Sequence, residues 1–157
     1  MTFHPHGMYY DKRPGLVYVI SHSYMNGGER IEVFKVTSGK SVTLTYEKSL
    51  ILPNSLMGVS NDLVVLRKGK AFFVTKFLPF ADKRSGRDSS TFANYERWTK
   101  SVLGGYSELF YCKKETEISE KEESLKCDVY LAGGAEFNGM EYDEARGTLY
   151  VSDTLRN

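Results

Sequence analysis

The chain has 157 residues, with 21 Lys and Arg against 20 Asp and Glu, so its net charge is +1 at neutral pH. Hydrophobic residues make up 41% and charged residues 26%, a globular composition that excludes a disordered or fibrous chain. The near-neutral charge argues against a nucleic-acid-binding protein, which would carry a basic excess. No apolar run reaches the ~18–20 residues of a membrane-spanning helix.

Three segments with the same pattern repeat along the chain, at His6–Ser21, Asn61–Thr75 and Asn138–Ser152. Each has a polar residue, an apolar run, a turn that ends in Gly, and a second run rich in Tyr, Phe or Val. This pattern is typical of a β-hairpin whose turn needs a residue with positive φ. The glycines at these turns are Gly15, Gly69 and Gly147.

Two further strands are predicted after each of the first two hairpins. Arg30–Val36 and Ser41–Tyr46 follow the first, and Ser107–Cys112 and Ser124–Leu131 follow the second. The charged stretch Lys113–Glu123 is expected to be a solvated hairpin loop. Four antiparallel strands in repeats of ~40–55 residues are the pattern of β-propeller blades.

The stretch from Pro79 to Gly105 interrupts the second repeat and has a different pattern. A polar loop is followed by apolar residues at the spacing of one helical face, which predicts a rim helix of about three turns. Such a helix usually packs on the core, but its aromatic side could also contact a membrane or lipid surface. The apolar residues of this face are Phe92, Tyr95, Trp98, Val102 and Leu103.

The sequence therefore predicts an all-β chain with about two and a half propeller blades and one inserted rim helix. The expected blades are residues 1–57, residues 58–135 with the helical insertion, and the half blade 136–157. Because propellers usually have four to eight blades, these cannot close a ring. We expect the chain to be a piece of a longer protein.

The starts of the innermost strands carry the candidate site residues. His6, Asn61 and Asn138 are equivalent in the three repeats, and Asp62 follows Asn61. In a propeller these positions converge at one mouth of the central tunnel, where oxygen ligands could bind Ca²⁺, which takes six to eight of them. Alternatively, Asn61 and Asn138 only stabilise the turns that precede the strands.

A second candidate is a pair of histidines. If the first hairpin turns around Pro14, residues whose numbers add up to about 28 face each other, and His6 and His22 meet this condition. Adjacent imidazoles can act as a base and its partner. The alternative is two half-exposed polar residues at a strand end.

The two cysteines, Cys112 and Cys127, are symmetric about Thr116–Ser119. If the strands on either side pair, a disulfide is geometrically conceivable. Two free thiols on a half-buried sheet are the favoured interpretation.

Together these segments resemble the serum paraoxonase/arylesterase family of calcium-dependent lactonases. The resemblance extends over nearly the whole chain, including the helix near Tyr95–Leu103, with the segments in the family's order and spacing. The other segments are Phe3–Met8, Val19–His22, Ile31–Lys35, Val59–Val64, Glu108–Tyr111 and Glu136–Met140.

The resemblance implies a six-bladed propeller with two calcium ions in its tunnel. Asn61 and Asn138 match side-chain ligands of the catalytic calcium. Asp62 matches a ligand of the structural calcium, and Met8 a position that offers its backbone carbonyl to that ion. The family's other calcium carboxylates match no position of this chain, so the chain alone is expected to be inactive.

The resemblance also implies hydrolysis of aryl esters and lactones by a secreted or membrane-associated protein. His6 matches the proposed general base, and His22 matches its partner. Where the family carries a histidine after the second repeat, this chain has Thr75–Pro79, so its substrate preference is expected to differ.

Two other kinds of propeller remain as alternatives. A gluconolactonase-like or strictosidine-synthase-like enzyme would share the Asn-Gly repeat motif without the His6 and His22 pair. A non-catalytic propeller would use the same tunnel residues for binding or for structure alone.

Overall fold

A computed structural model describes residues 3–22, 29–56, 59–78 and 105–156, together with Tyr95, Thr99 and Leu103. Within these residues the chain forms ten β-strands and a single 3₁₀ turn at Asn54–Leu56. No helix in this part of the chain is long and apolar enough to cross a membrane. The strands are β1 (Pro5–Asp11), β2 (Leu16–Ser21), β3 (Arg30–Ser38), β4 (Val42–Ile51), β5 (Ser60–Leu66), β6 (Ala71–Lys76), β7 (Ser107–Ser119), β8 (Glu122–Gly134), β9 (Phe137–Asp143) and β10 (Thr148–Asp153).

Two four-stranded antiparallel units dominate the fold, β1–β4 and β5–β8, each with its strands in chain order. A short parallel pairing of β4 with β8 joins them, with Leu50 opposite Glu123. The end strands β1 and β5 also lie side by side, so the eight strands form a nearly closed, barrel-like sheet. Strands β9 and β10 form a separate hairpin that packs on β5.

The three predicted hairpin turns are confirmed, since their glycines adopt φ values that other residues rarely adopt. Gly15 and Gly147 both have φ 64°, and Gly69 has φ 81°. The prediction of an all-β chain is confirmed as well. This topology does not test whether the strands belong to a six-bladed propeller, so the partial propeller stays a prediction.

Strands β5 and β6 and the first half of β7 are buried on both faces, which explains the nearly continuous apolar runs of β5 and β6. Alternate residues of β5 point to opposite sides of the sheet. Leu63 and Val65 enter a core shared with β1–β4, where they meet Ile20 and Ile31. Val64 enters a second core, which is shared with the β9–β10 hairpin.

The prediction of a solvated loop at Lys113–Glu123 is wrong, because β7 continues to Ser119 and β8 begins at Glu122. The strand pairing extends along this stretch, with Lys113 opposite Lys126. The charged side chains of β7 beyond Cys112 are all exposed. A charged run is therefore compatible with an exposed stretch of strand as well as with a loop.

The interpretation of Cys112 and Cys127 as free thiols is also wrong. The two residues lie directly opposite each other on β7 and β8 and form a disulfide, with Cα atoms 4.0 Å apart. The longer strands explain the pairing, since they place both cysteines within a continuous antiparallel ladder rather than at its end.

The predicted rim helix lies mainly outside the described residues, as do Phe92, Trp98 and Val102 from its apolar face. The backbone is helical at Tyr95, Thr99 and Leu103. The prediction that this helix contacts a membrane or lipid surface stays a prediction.

Candidate functional site

A bulge in β1 brings the two predicted histidines into contact. The register differs from the predicted one, since Met8 pairs with Val19 and Pro5 with Ser21, and the irregularity between them contains His6. The His22 backbone N–H donates to the His4 carbonyl at 2.9 Å. His6 Nδ1 nevertheless lies 2.6 Å from His22 Nε2, because the extra residue turns the His6 ring toward its partner.

The second ring nitrogen of His22 contacts a buried acid that sequence reasoning missed. His22 Nδ1 lies 2.8 Å from Glu29 Oε1, and Glu29, just before β3, is fully buried. The same carboxylate oxygen accepts a hydrogen bond from the Ser60 backbone N–H at 3.2 Å and another from the Ser60 hydroxyl. Histidine, acid and the start of β5 therefore form one connected network.

The two asparagines predicted to converge are in direct contact. Asn61 Nδ2, on β5, donates to Asn138 Oδ1, on β9, at 2.9 Å. Thr75 of β6 supports this arrangement, since its hydroxyl accepts from the Asp62 N–H at 3.0 Å and donates to the Asn138 carbonyl at 3.1 Å. Thr75 is fully buried, and it is a second site residue that the sequence did not identify.

Asp62 of β5 lies close to both β1 and β9. Its Oδ2 accepts the Met140 backbone N–H of β9 at 2.7 Å. On the β1 side, a Cβ atom added to Gly7 would lie 2.8 Å from Asp62 Oδ1 and 2.2 Å from the Asn61 carbonyl oxygen. Burial raises the pKa of the Asp62 carboxyl, because desolvation penalises the charged form.

Met8 follows the glycine that contacts Asp62. The residue is 67% exposed and pairs with Val19 of β2. The predicted role of its backbone carbonyl as a calcium ligand stays a prediction.

The side chains at this site match calcium in ligand type, but not in number. Two amides in contact and one half-buried carboxylate offer the hard oxygen ligands that Ca²⁺ prefers. Over the described residues, no group of three or more His, Cys, Asp or Glu could hold a metal. A complete site would need further oxygen ligands besides Asn61, Asn138 and Asp62.

A polar cavity of about 460 Å³ lies between β1, β5 and β9. Arg13, in the first hairpin turn, and Glu144, in the third, form an ion pair at its rim with Nη2 and Oε2 2.6 Å apart. Leu63 and Met140 contribute to its wall. Equivalent strands of three successive repeats thus line one concave space.

Comparisons of the chain with family models, with curated proteins and with solved structures give no match.

Proposed function

We propose that this chain contributes about two and a half blades to a six-bladed, calcium-dependent arylesterase that hydrolyses aryl esters and lactones. The observation that carries the proposal is the contact of His6 with His22, 2.6 Å between ring nitrogens. His6 lies on β1, which packs beside β5, the strand that holds Asn61, and Asn61 in turn contacts Asn138 of β9. A candidate base and candidate calcium ligands therefore share one end of the inner strands.

The propeller arrangement is supported by the way successive units pack. The first strands β1, β5 and β9 border the polar cavity, and β5 and β6 are buried on both faces. The uncovered face of β1–β4 carries an apolar groove of about 480 Å³, as expected if another blade packs there. Residues lining this groove include Phe3, Val17, Val19, Phe34, Leu44 and Tyr46.

In the proposed reaction, His6 acts as the general base. Its ring takes a proton from water while the water oxygen bonds to the ester or lactone carbonyl carbon, and the carbonyl π electrons move to oxygen. When the tetrahedral intermediate collapses, the bond to the leaving oxygen breaks and the proton on His6 passes to that oxygen. General-base catalysis of this kind contributes roughly 10²–10⁴-fold in rate.

Calcium, when bound, supplies Lewis-acid polarisation of the carbonyl and charge stabilisation of the oxyanion. Asn61 and Asn138 would hold the catalytic ion through their amide oxygens, and Asp62 a structural one. The half-buried Asp62 has no basic partner among the described side chains, so a nearby cation would offset its desolvation.

The histidine contact favours this function over the two alternatives. A gluconolactonase-like or strictosidine-synthase-like site would use the asparagines without a histidine pair. A non-catalytic propeller needs no base beside its polar tunnel, so a buried acid behind His22 would have no role in binding.

The test is hydrolysis of phenyl acetate and of a lactone by the full-length protein that contains this chain, with calcium present and after chelation with EGTA. We expect chelation to abolish hydrolysis and Asn138→Ala to reduce both calcium affinity and rate. Asn54→Ala is the matched control, because Asn54 is an exposed amide in the 3₁₀ turn. Hydrolysis that is unchanged by chelation, or full activity of Asn138→Ala, contradicts the proposal.

A further inference from the structure

Glu29 is a fully buried carboxylate that the proposed reaction does not yet use. Burying an ionised carboxylate is costly unless hydrogen bonds satisfy it. Its Oε1 accepts three of them, from His22 Nδ1 and from the N–H and hydroxyl of Ser60. An ionised carboxylate can only accept, so this contact requires the proton of His22 to be on Nδ1.

The position of that proton determines which of the other ring nitrogens of His22 and His6 donate and which accept. A neutral imidazole carries one N–H and one bare nitrogen, so His22 Nε2 must then accept a hydrogen bond. The atom 2.6 Å away is His6 Nδ1, which must therefore be the donor. His6 Nε2 is left without a proton, and it is the nitrogen that a general base needs.

We propose that Glu29 is a positioning residue that fixes the tautomers of both histidines and thereby makes His6 Nε2 the basic atom. The catalytic meaning of this assignment rests on the proposed function, but the tautomers themselves are properties of the free protein. When His6 gains a proton from water, the negative charge of Glu29 stabilises the resulting cation through His22. No proton leaves the histidines for Glu29.

The same carboxylate also ties the base to the strand of the amide ligands. Ser60, which donates to Glu29, directly precedes Asn61 on β5. A change at Glu29 should therefore affect the distance between base and ligands as well as the tautomers. The experiment must separate these two effects.

The tautomers can be read from imidazole ¹⁵N chemical shifts of the 157-residue chain, because protonated and bare ring nitrogens have well-separated shifts. The three histidines are assigned by His→Gln replacement. In the wild-type chain we expect Nδ1–H and bare Nε2 on both His6 and His22. A wild-type spectrum with His22 protonated on Nε2 overturns the proposal, whether or not any variant folds.

Glu29→Gln keeps the shape of the side chain and removes its charge, and it offers an amide that can donate to His22 Nδ1. We expect both histidines to become mixtures of tautomers. Glu32→Gln is the matched control, since Glu32 is also buried but bonds Ser49 instead, at 2.5 Å. Unchanged tautomers in Glu29→Gln overturn the proposal.

Hydrolysis by the full-length protein provides an independent readout. In a Ser–His–Asp triad, replacing the Asp by Asn leaves the geometry intact, produces the wrong tautomer and lowers kcat roughly 10⁴-fold. We expect Glu29→Gln to lower kcat by at least about 10²-fold with little change in KM. If the wild-type protein hydrolyses no ester or lactone, the proposed function fails, while the ¹⁵N spectra still decide the tautomers. Full kcat in Glu29→Gln overturns the positioning role.

Discussion

The close approach of β1 to β5 predicts that replacing Gly7 even by alanine destabilises the protein. A Cβ atom at Gly7 would lie 2.2 Å from the Asn61 carbonyl oxygen and 2.7 Å from Asp62 Cα. Because non-bonded carbon atoms pack best about 3.5–4.0 Å apart, the two strands would have to separate by roughly 1 Å. Both colliding atoms belong to the backbone, so no side chain can rotate away to relieve the contact.

The expected magnitude follows from two opposing effects. Overpacking of a well-packed region typically costs about 1–3 kcal/mol. A Gly→Ala change at an ordinary φ also removes freedom from the unfolded chain, which stabilises the protein by about 0.4–1 kcal/mol. We therefore expect Gly7→Ala to lower the free energy of unfolding by about 1–2 kcal/mol.

The third repeat provides a matched control. Gly139 is equivalent to Gly7, but a Cβ atom there would meet only Ser152 Oγ at 3.7 Å and Asp62 Oδ2 at 4.0 Å, which are ordinary contacts. Gly139→Ala should therefore be neutral or slightly stabilising, so that only Gly7→Ala lowers the free energy of unfolding. Urea unfolding monitored by circular dichroism measures both. A Gly7→Ala chain as stable as the wild type refutes the reasoning.

Two further predictions concern the β7–β8 hairpin. Reduction of Cys112–Cys127, which are 15 residues apart, should lower the free energy of unfolding by roughly 2–3 kcal/mol; an unchanged urea midpoint with reductant contradicts this. Burial raises the pKa of Glu123, but the ammonium groups of Lys114 and Lys48 outweigh it and lower the pKa below 4.5. The stabilising effect of the charged Glu123 carboxylate is therefore present above pH 4.5 and lost on further acidification. Glu123→Gln should lower the free energy of unfolding by roughly 0.2–1 kcal/mol in urea titrations at neutral pH. The variant should also lose less stability on acidification than the wild type.

The repeat pattern predicted the strands well, because hairpin turns and alternating apolar residues are local features of the sequence. The same local logic placed Asn61 and Asn138 at equivalent positions, where the structure brings their amides into contact. It failed on the charged stretch of β7 and β8, since a strand segment with exposed, charged side chains has the composition of a loop. Local pattern cannot distinguish these two cases.

The histidine pair was predicted from an incorrect register. The assumed turn would pair Met8 with Ile20, whereas Met8 pairs with Val19 and the bulge restores the approach of His6 to His22. A bulge inserts one residue without a clear sequence signal, so no periodicity could have indicated it. The prediction of the contact was right, but the geometry behind it was not.

Glu29 and Ser60 show which site residues a prediction from strand patterns in the sequence misses. Neither residue is part of an apolar pattern, and an acid after two glycines is typical of a turn. Its burial depends on β5, a strand more than thirty residues away, whose first residue donates to it. If Glu29 fixes the histidines, the base and the amide ligands are held in place by one carboxylate outside every strand. The chemistry of this site would then depend on a connection between repeats that the repeat pattern itself does not contain.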